Sequence, residues 1–166
     1  MKAVLVRQFG PVDEAHLEEL PSLVPGKGEV VVNLHAAEVN FPDILVMEGN
    51  YQKKPPLPFS PGKAGAGVVS AVGEGVTRLS VGDRVAVQVE YGAYAEQLCT
   101  SAVNCFEMPA AMPFDVAAAL GLVYQTAHFA LVERAQMQPG DRVLVLGASG
   151  GVGSAAVQLA KAMGAG

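Results

Sequence analysis

The chain has 166 residues, of which 51% are hydrophobic and 16% charged, and its net charge at pH 7 is −5. This acidic chain has no cluster of Lys and Arg, which excludes a nucleic-acid partner. No apolar run approaches the ~20 residues of a membrane helix, and the run at the N-terminus is too short for a secretion signal. We therefore expect a cytoplasmic protein without membrane association, in which Cys99 and Cys105 are free thiols.

The first hundred residues are predicted to be rich in β-structure. Short β-branched or alternating runs, separated by Gly and Pro turns, are typical of strands in a small barrel or sandwich. The runs are Lys2–Arg7, Val30–Asn40, Ala66–Gly73, Asp83–Val89 and Gly92–Thr100. The proline-rich stretch between the second and third runs, Lys53–Gly62, is predicted to be an extended loop.

The pattern changes near residue 115, where the chain becomes rich in Ala and Leu. Phe114–Ala135 predicts one or two helices, with Asp115 as the N-cap and a possible break at Gly121. Arg142–Leu146 is a continuous apolar run, typical of a strand that is buried on both faces of a parallel sheet. Gly151–Ala165 predicts the helix that follows it.

A glycine cluster joins this last strand to the last helix. It reads Ala148-Ser149-Gly150-Gly151-Val152-Gly153, an A-x-G-x-x-G in place of the common G-x-G-x-x-G that binds a dinucleotide pyrophosphate. Gly150 would leave room for the pyrophosphate, Gly153 would let the helix pack closely, and the helix N-terminus offers unpaired N–H groups. These six residues are the predicted cofactor-binding residues. An ordinary strand–turn–helix without a ligand is the alternative.

The segment around the glycines, Gly140–Lys161, resembles the signature of the zinc-independent, zeta-crystallin-like quinone oxidoreductases of the medium-chain dehydrogenase/reductase superfamily. Further segments are similar to that family in the same order: the first strand, His35–Tyr51, Ser60–Val87 and Ala117–Leu131. The resemblance implies a mixed α and β fold. A GroES-like β-rich barrel, the catalytic domain, would occupy residues 1–120. Residues 121–166 would hold the connecting helix and the first βα unit of an incomplete, doubly wound Rossmann domain that binds NADPH.

The resemblance also implies a metal-free site. Where zinc-dependent relatives carry Gly-His-Glu, this chain has Gly62-Lys63-Ala64, and a lysine there would repel a metal ion. The two cysteines have no nearby histidine, so they offer too few ligands for zinc. The three histidines lack a paired nucleophile or carboxylate and are expected to be structural; they are His16, His35 and His128.

By the same resemblance, Asn40 and Tyr51 line the acceptor site and Thr126 contacts the nicotinamide. Asn40 would donate a hydrogen bond to the acceptor oxygen as charge develops on it. The alternatives are that Asn40 and Asp43 only fix the end of a strand, and that Tyr51 only packs.

The predicted function is NADPH-dependent hydride transfer to a small-molecule quinone or enone, by a protein that forms a homodimer in its full-length form. The alternative is a non-catalytic, truncated β-module with only a remnant of a cofactor site. Residues that read the 2′-phosphate of NADPH normally follow the second strand of the dinucleotide fold. Residues 1–166 alone are therefore expected to hold NADPH poorly.

Overall fold

A computed structural model describes all 166 residues, which form two units, Met1–Ala119 and Leu120–Gly166. The first unit holds seven strands, two short α-helices and two single 3₁₀ turns. Its strands and helices are β1 (Lys2–Val6), β2 (Ala15–Glu19), β3 (Glu29–Ala37), α1 (Phe41–Met47), β4 (Ala64–Val72), β5 (Arg84–Gln88), β6 (Gln97–Ser101), β7 (Cys105–Glu107) and α2 (Phe114–Ala119).

The strands of the first unit form two antiparallel sheets. One is the β1–β2 hairpin, and the other has five strands in the order β6-β3-β4-β5-β7. The valines of this larger sheet alternate along their strands, so that one face collects them in the main core. The fully buried members of that core include Val30, Val32, Val69, Val85 and Cys105.

The close approach of β3 and β4 depends on glycine. A Cβ atom added to Gly67 would overlap the carbonyl group of Asn33 on the neighbouring strand. The pairing of β3 with β4 also shifts register twice, between Val31 and Val32 and between Leu34 and Ala36. Such irregularities bend a strand, and β3 ends just before the turn that begins α1.

The predicted strands are found in the first unit, with differences at three places. β2 was not predicted, because its charged sequence lies on an exposed hairpin where no apolar alternation is needed. The second run ends at Ala37 rather than Asn40, and the unpredicted helix α1 follows it. The fifth run begins at Gln97, and the short strand β7 after it was not predicted either.

The second unit contains helices and loops. α3 (Gly121–His128) continues into a π-helical turn, Phe129–Arg134, and α4 (Gly151–Ala162) follows later. The predicted helical region does break, at Leu120, but Asp115 is not its N-cap, since α2 begins at Phe114 and Asp115 lies in the first turn. None of the helices combines the length and hydropathy of a membrane-crossing segment.

The prediction of a buried strand at Arg142–Leu146 is wrong for this structure. The segment pairs with no strand, and the side chains of Leu144 and Leu146 are 85% and 86% exposed. A strand needs hydrogen-bonding neighbours at its edges, and the other elements of the second unit are helical. The glycine cluster is therefore reached from an unpaired segment.

Candidate functional site

The start of α1 sets the position of Asn40. Asn40 is the N-cap, with an extended backbone (φ −126°, ψ 152°), and its backbone N–H donates to Asp43 Oδ2 at 2.8 Å. Pro42 lies in the first turn, where its missing N–H costs no helical hydrogen bond. The local sequence Asn-Phe-Pro-Asp therefore determines where the chain leaves β3 and where the Asn40 side chain is placed.

Asp43 is buried, with 2% of its surface exposed, and it has a second donor. Tyr94 Oη donates to Asp43 Oδ2 at 2.9 Å. Burial, and then the bond to the Asp43 carboxylate, raise the pKa of Tyr94, so that the phenol stays a protonated donor at neutral pH. The ring of Tyr94 lies against Gly62, where an added Cβ would come within 2.5 Å of it.

The amide nitrogen of Asn40 has no partner. Asn40 Nδ2 is buried and makes no hydrogen bond, although Asp43 beside it is anchored by two donors. A buried donor without a partner costs about 1–3 kcal/mol, and such groups are few in folded proteins. Here the donor stands at the end of a strand, on a helix start that fixes its backbone. The hydrogen-bonding capacity of this amide nitrogen, like that of the buried Asp43 Oδ1, is unused in this structure.

Tyr51 follows the end of α1 and is partly buried. One set of contacts is apolar, with the buried cluster Val6, Val46, Met47 and Phe59. The other is charged, since Lys63 Nζ lies 4.6 Å from the centroid of the Tyr51 ring. The ring of Tyr51 therefore contacts both an apolar cluster and the ammonium group of Lys63.

Lys63 itself is buried in an ion pair. Only 5% of the residue is exposed, and Nζ donates to the backbone O and to Oε2 of Glu90, each at 3.2 Å. The bond from Lys63 lowers the pKa of Glu90, which keeps that carboxylate ionised. Ala64 begins β4 next to it. The chain contains no group of three or more His, Cys, Asp or Glu side chains arranged to hold a metal ion.

In the second unit, the glycine cluster forms a tight turn onto the N-terminus of α4. Gly147 has a positive φ of 71°, and the N–H of Gly150 donates to its carbonyl oxygen at 3.1 Å. Gly150 is the N-cap of α4, and no side chain caps the helix. A Cβ at Gly153 would overlap Gly147 O, whereas a Cβ at Gly150 would meet that atom at an ordinary 3.5 Å.

These residues fit the pyrophosphate of a dinucleotide. The first N–H groups of a helix have no intrahelical acceptor and carry a partial positive charge, and α4 has no capping side chain to occupy them. Gly153 is needed for the turn to approach the helix, and Gly150 leaves open space in front of it. The side of the turn is accessible, since its residues from Ala148 to Val152 are exposed.

Thr126 lies on α3, in the same unit as the glycine turn. Its side chain is exposed, and Oγ1 donates to the carbonyl oxygen of Leu122 at 2.7 Å. That bond fixes the rotamer and leaves the oxygen able to accept. On the same helix, Tyr124 Oη donates to Gln158 Oε1 of α4 at 2.8 Å, which ties the two helices together.

Sequence reasoning missed the neighbours of the predicted acceptor residues. Tyr94 was assigned to a strand and Glu90 was not singled out, yet these two residues anchor Asp43 and Lys63. The contacts join residues 51 and 27 positions apart, a separation that no short motif reveals. Lys63, expected only to repel a metal, also contacts Tyr51.

Comparison with known proteins places the chain in a family. The alcohol dehydrogenase GroES-like domain matches residues 26–127. The human synaptic vesicle membrane protein VAT-1 homolog is 42% identical over 97% of this chain and 42% of its own length. Human quinone oxidoreductase is 38% identical over 99% of this chain and 50% of its own length. A mycobacterial protein solved in complex with NADPH has a TM-score of 0.90 and 36% identity, covering 99% of this chain and 51% of that one.

These matches confirm the mixed α and β fold with a GroES-like domain and the resemblance to quinone oxidoreductases. The chain spans about half the length of the curated relatives it matches.

Proposed function

The chain belongs to the alcohol dehydrogenase GroES-like domain family, and we propose that the protein carrying it transfers hydride from NADPH to a quinone or a related α,β-unsaturated carbonyl. The observation that carries the proposal is the turn of Gly147 to Gly153, which closes onto an uncapped helix N-terminus and admits no side chain at Gly153. Support for this chemistry comes from the quinone oxidoreductases among the relatives and from the similar protein solved with NADPH.

The glycine turn has the binding role. Residues Ala148 to Gly153 hold the pyrophosphate through the N–H groups at the start of α4, and Gly150 keeps the approach open. Thr126 offers its hydroxyl oxygen, already oriented by Leu122, to the nicotinamide amide. NADPH, when bound, supplies the hydride, so the protein needs no nucleophile of its own.

The acceptor role belongs to Asn40. Its unpartnered Nδ2 donates to the carbonyl oxygen of the acceptor and stabilises the negative charge that develops there as hydride arrives. Because Asp43 and Tyr94 fix the start of α1, this donor is oriented before the acceptor binds. Tyr51 supplies an aromatic wall against which a flat acceptor can pack.

An NADPH oxidation assay with 1,4-naphthoquinone tests the proposal, with the protein in the length in which the cell makes it. Removal of one donor to a developing oxyanion typically costs about 10²-fold in kcat, so Asn40→Ala should lose activity by that order. Val39→Ala is the matched control, because Val39 is next to Asn40 in the chain and is 82% exposed. This variant should have the activity of the wild type. No NADPH oxidation with quinones or enones at any acceptor concentration would refute the proposal.

The proposed reaction is metal-free. The ammonium group of Lys63 is held in an ion pair with Glu90, at the position where zinc-dependent relatives carry a ligand, and its charge opposes that of a metal ion. Elemental analysis of the active protein should find no stoichiometric zinc, and chelators should leave its activity unchanged. One tightly held zinc per chain would contradict this part of the proposal.

A non-catalytic binding module is the second candidate. The observation in its favour is the unpaired segment Arg142–Leu146, whose exposed leucines border the glycine turn. The same assay separates the two candidates, because a binding module oxidises no NADPH.

A further inference from the structure

Lys63 is fixed at the entrance to β4 by its backbone as well as its side chain. Its carbonyl oxygen accepts from the N–H of Val89 at 2.8 Å, which extends the pairing of β4 with β5 by one step. The side chain is 6% exposed, and its ammonium group donates to the backbone oxygen and to the carboxylate of Glu90. The ammonium group therefore has a single position, set by the sheet and by the following loop.

A charge in this position is costly, so packing alone does not account for it. Removing an ammonium group from water carries a desolvation penalty that one partly exposed carboxylate only partly offsets. Half of the Glu90 side chain is exposed. A methionine, of similar length and without charge, would fill the same space without this penalty. The ammonium group must then act on something besides Glu90.

The ammonium group of Lys63 also faces the ring of Tyr51, whose centroid lies 4.6 Å from Nζ. A cation over an aromatic face attracts the ring through its quadrupole. The remaining contacts of Tyr51 are with aliphatic and aromatic side chains of the cluster that includes Val6, Val46 and Phe59. Such apolar contacts are not directional, so they restrict the orientation of a ring less than a cation–π contact does. The cation–π contact is thus what selects one orientation of the ring.

We infer that Lys63 is a positioning residue, which holds the ring of Tyr51 in place so that Tyr51 can form the wall of the acceptor site. The inference rests on the proposed function in one respect, namely that Tyr51 lines that site. Lys63 is not required to touch the acceptor. Loss of its charge should therefore weaken acceptor binding and leave the hydride-transfer step nearly unchanged.

The experiment compares Lys63→Met with Lys63→Arg and with Lys53→Met. Lys53 is the matched control, because it also pairs with Glu90, at 3.5 Å, but its side chain is 66% exposed. Protein with ¹³C-labelled tyrosine is followed by NMR, and the Tyr51 signal is assigned with Tyr51→Phe. Titration with 1,4-naphthoquinone gives its Kd from that signal, and the oxidation assay gives KM and kcat.

Lys63→Met should displace or broaden the Tyr51 signal and raise the Kd and KM for naphthoquinone roughly fivefold to tenfold, an effect between those of exposed and of fully desolvated cation–π contacts. Its kcat should stay within about twofold of wild type, because no group that contacts the reacting atoms has changed. Lys63→Arg should keep the signal and the Kd near wild type, and Lys53→Met should change neither. If Lys63→Met does not fold, Lys63→Gln makes the same comparison.

A Tyr51 signal and a Kd that both stay at wild-type values in the folded variant would overturn the inference, and so would lower thermal stability as the only effect. A moved signal with an unchanged Kd would overturn it too, because the ring would then have no part in binding. The Kd is measured without turnover. A raised Kd in a protein that oxidises no NADPH would uphold the role of Lys63 and refute the proposed function instead.

Discussion

Two segments of the chain have nearly the same sequence and different structures. Gly82-Asp83-Arg84-Val85-Ala86-Val87 leads into β5 of the first unit, and Gly140-Asp141-Arg142-Val143-Leu144-Val145 leads to the glycine turn of the second. In β5, Val85 and Val87 are 0% and 2% exposed, whereas the matching residues Val143 and Val145 are only partly buried and their segment pairs with no strand.

The turns before the two segments are alike in detail. Asp83 Oδ2 accepts from the N–H of Ser80 at 2.7 Å, and Asp141 Oδ2 accepts from the N–H of Gln138 at 2.8 Å. Both glycines have positive φ, 99° at Gly82 and 92° at Gly140. The turn is thus encoded locally by the Gly-Asp pair, whereas the strand after it forms only where neighbouring strands supply partners.

The largest effect is expected at the glycine turn, the part of the second unit that the local sequence does specify. Gly150→Val has room for its Cβ and a backbone conformation that valine adopts (φ −78°, ψ 167°), so the fold should survive. Its methyl groups would fill the space needed by the pyrophosphate, and NADPH affinity should fall at least about 100-fold, some 2.7 kcal/mol. Fluorescence titration with NADPH measures the loss, and circular dichroism checks the fold.

Gly153→Ala is the partner experiment at the same turn. Its Cβ would overlap Gly147 O, so this variant should lose helix content as well as NADPH binding. Normal NADPH binding by Gly150→Val would mean that the phosphate site lies elsewhere.

The second-largest effect is a difference in the free energy of unfolding between alanine variants of the two similar segments. Val85→Ala removes two methyl groups from a fully buried position and should lower the free energy of unfolding by about 2 kcal/mol. Val143→Ala removes the same two methyl groups from the matching position, which is only partly buried, and should cost about 1 kcal/mol. Urea unfolding followed by circular dichroism gives both values. Equal costs would show that the second segment is buried in solution.

Substitution of the two aspartates should have a smaller effect on the free energy of unfolding, of the same size at both positions. Asp83→Ala and Asp141→Ala each remove one side-chain acceptor from the same kind of turn, and each should cost about 1 kcal/mol. Urea unfolding of the two variants measures the costs. If only Asp83→Ala were destabilising, the turn before Arg142 would depend on its surroundings rather than on its own sequence.

The valine alternation of the sheet could be predicted from sequence, because burial of one face imposes a period of two that is visible in the letters. The glycine turn could also be predicted, because the backbone conformation of a turn depends mainly on the residues within it. The contacts of Tyr94 with Asp43 and of Lys63 with Glu90 could not, because they join separate elements of the fold. Arg142–Leu146 was predicted as a strand on its composition, which says what a segment favours but not whether a neighbour is present.

The smallest effect is a pH dependence of the stability of the first unit. Lys63, and to a lesser extent Lys53, hold the pKa of Glu90 below its ordinary value of 4.5. A lowered carboxyl pKa stabilises the fold above the ordinary value, and this contribution is lost as the pH falls through the lower folded value. Glu90 is half exposed, so the contribution should be only about 0.5 kcal/mol.

Glu90→Gln should therefore be slightly less stable than wild type at pH 7, with a difference that disappears as the pH is lowered well below 4.5. Thermal unfolding of both proteins across this range checks the sign. A difference that grows toward low pH would contradict the ion pair.

The proposed function depends most on residues 147–153 holding the pyrophosphate of NADPH. Hydrogen–deuterium exchange, with and without saturating NADPH, tests this claim at the residues concerned, in the protein at the length in which the cell makes it. NADPH should slow exchange at the amides of residues 147–153, while Val85–Val87 in β5, which pair with strands on both sides, should stay unchanged. Slower exchange elsewhere, with the amides of Gly147–Gly153 unaffected, would contradict it.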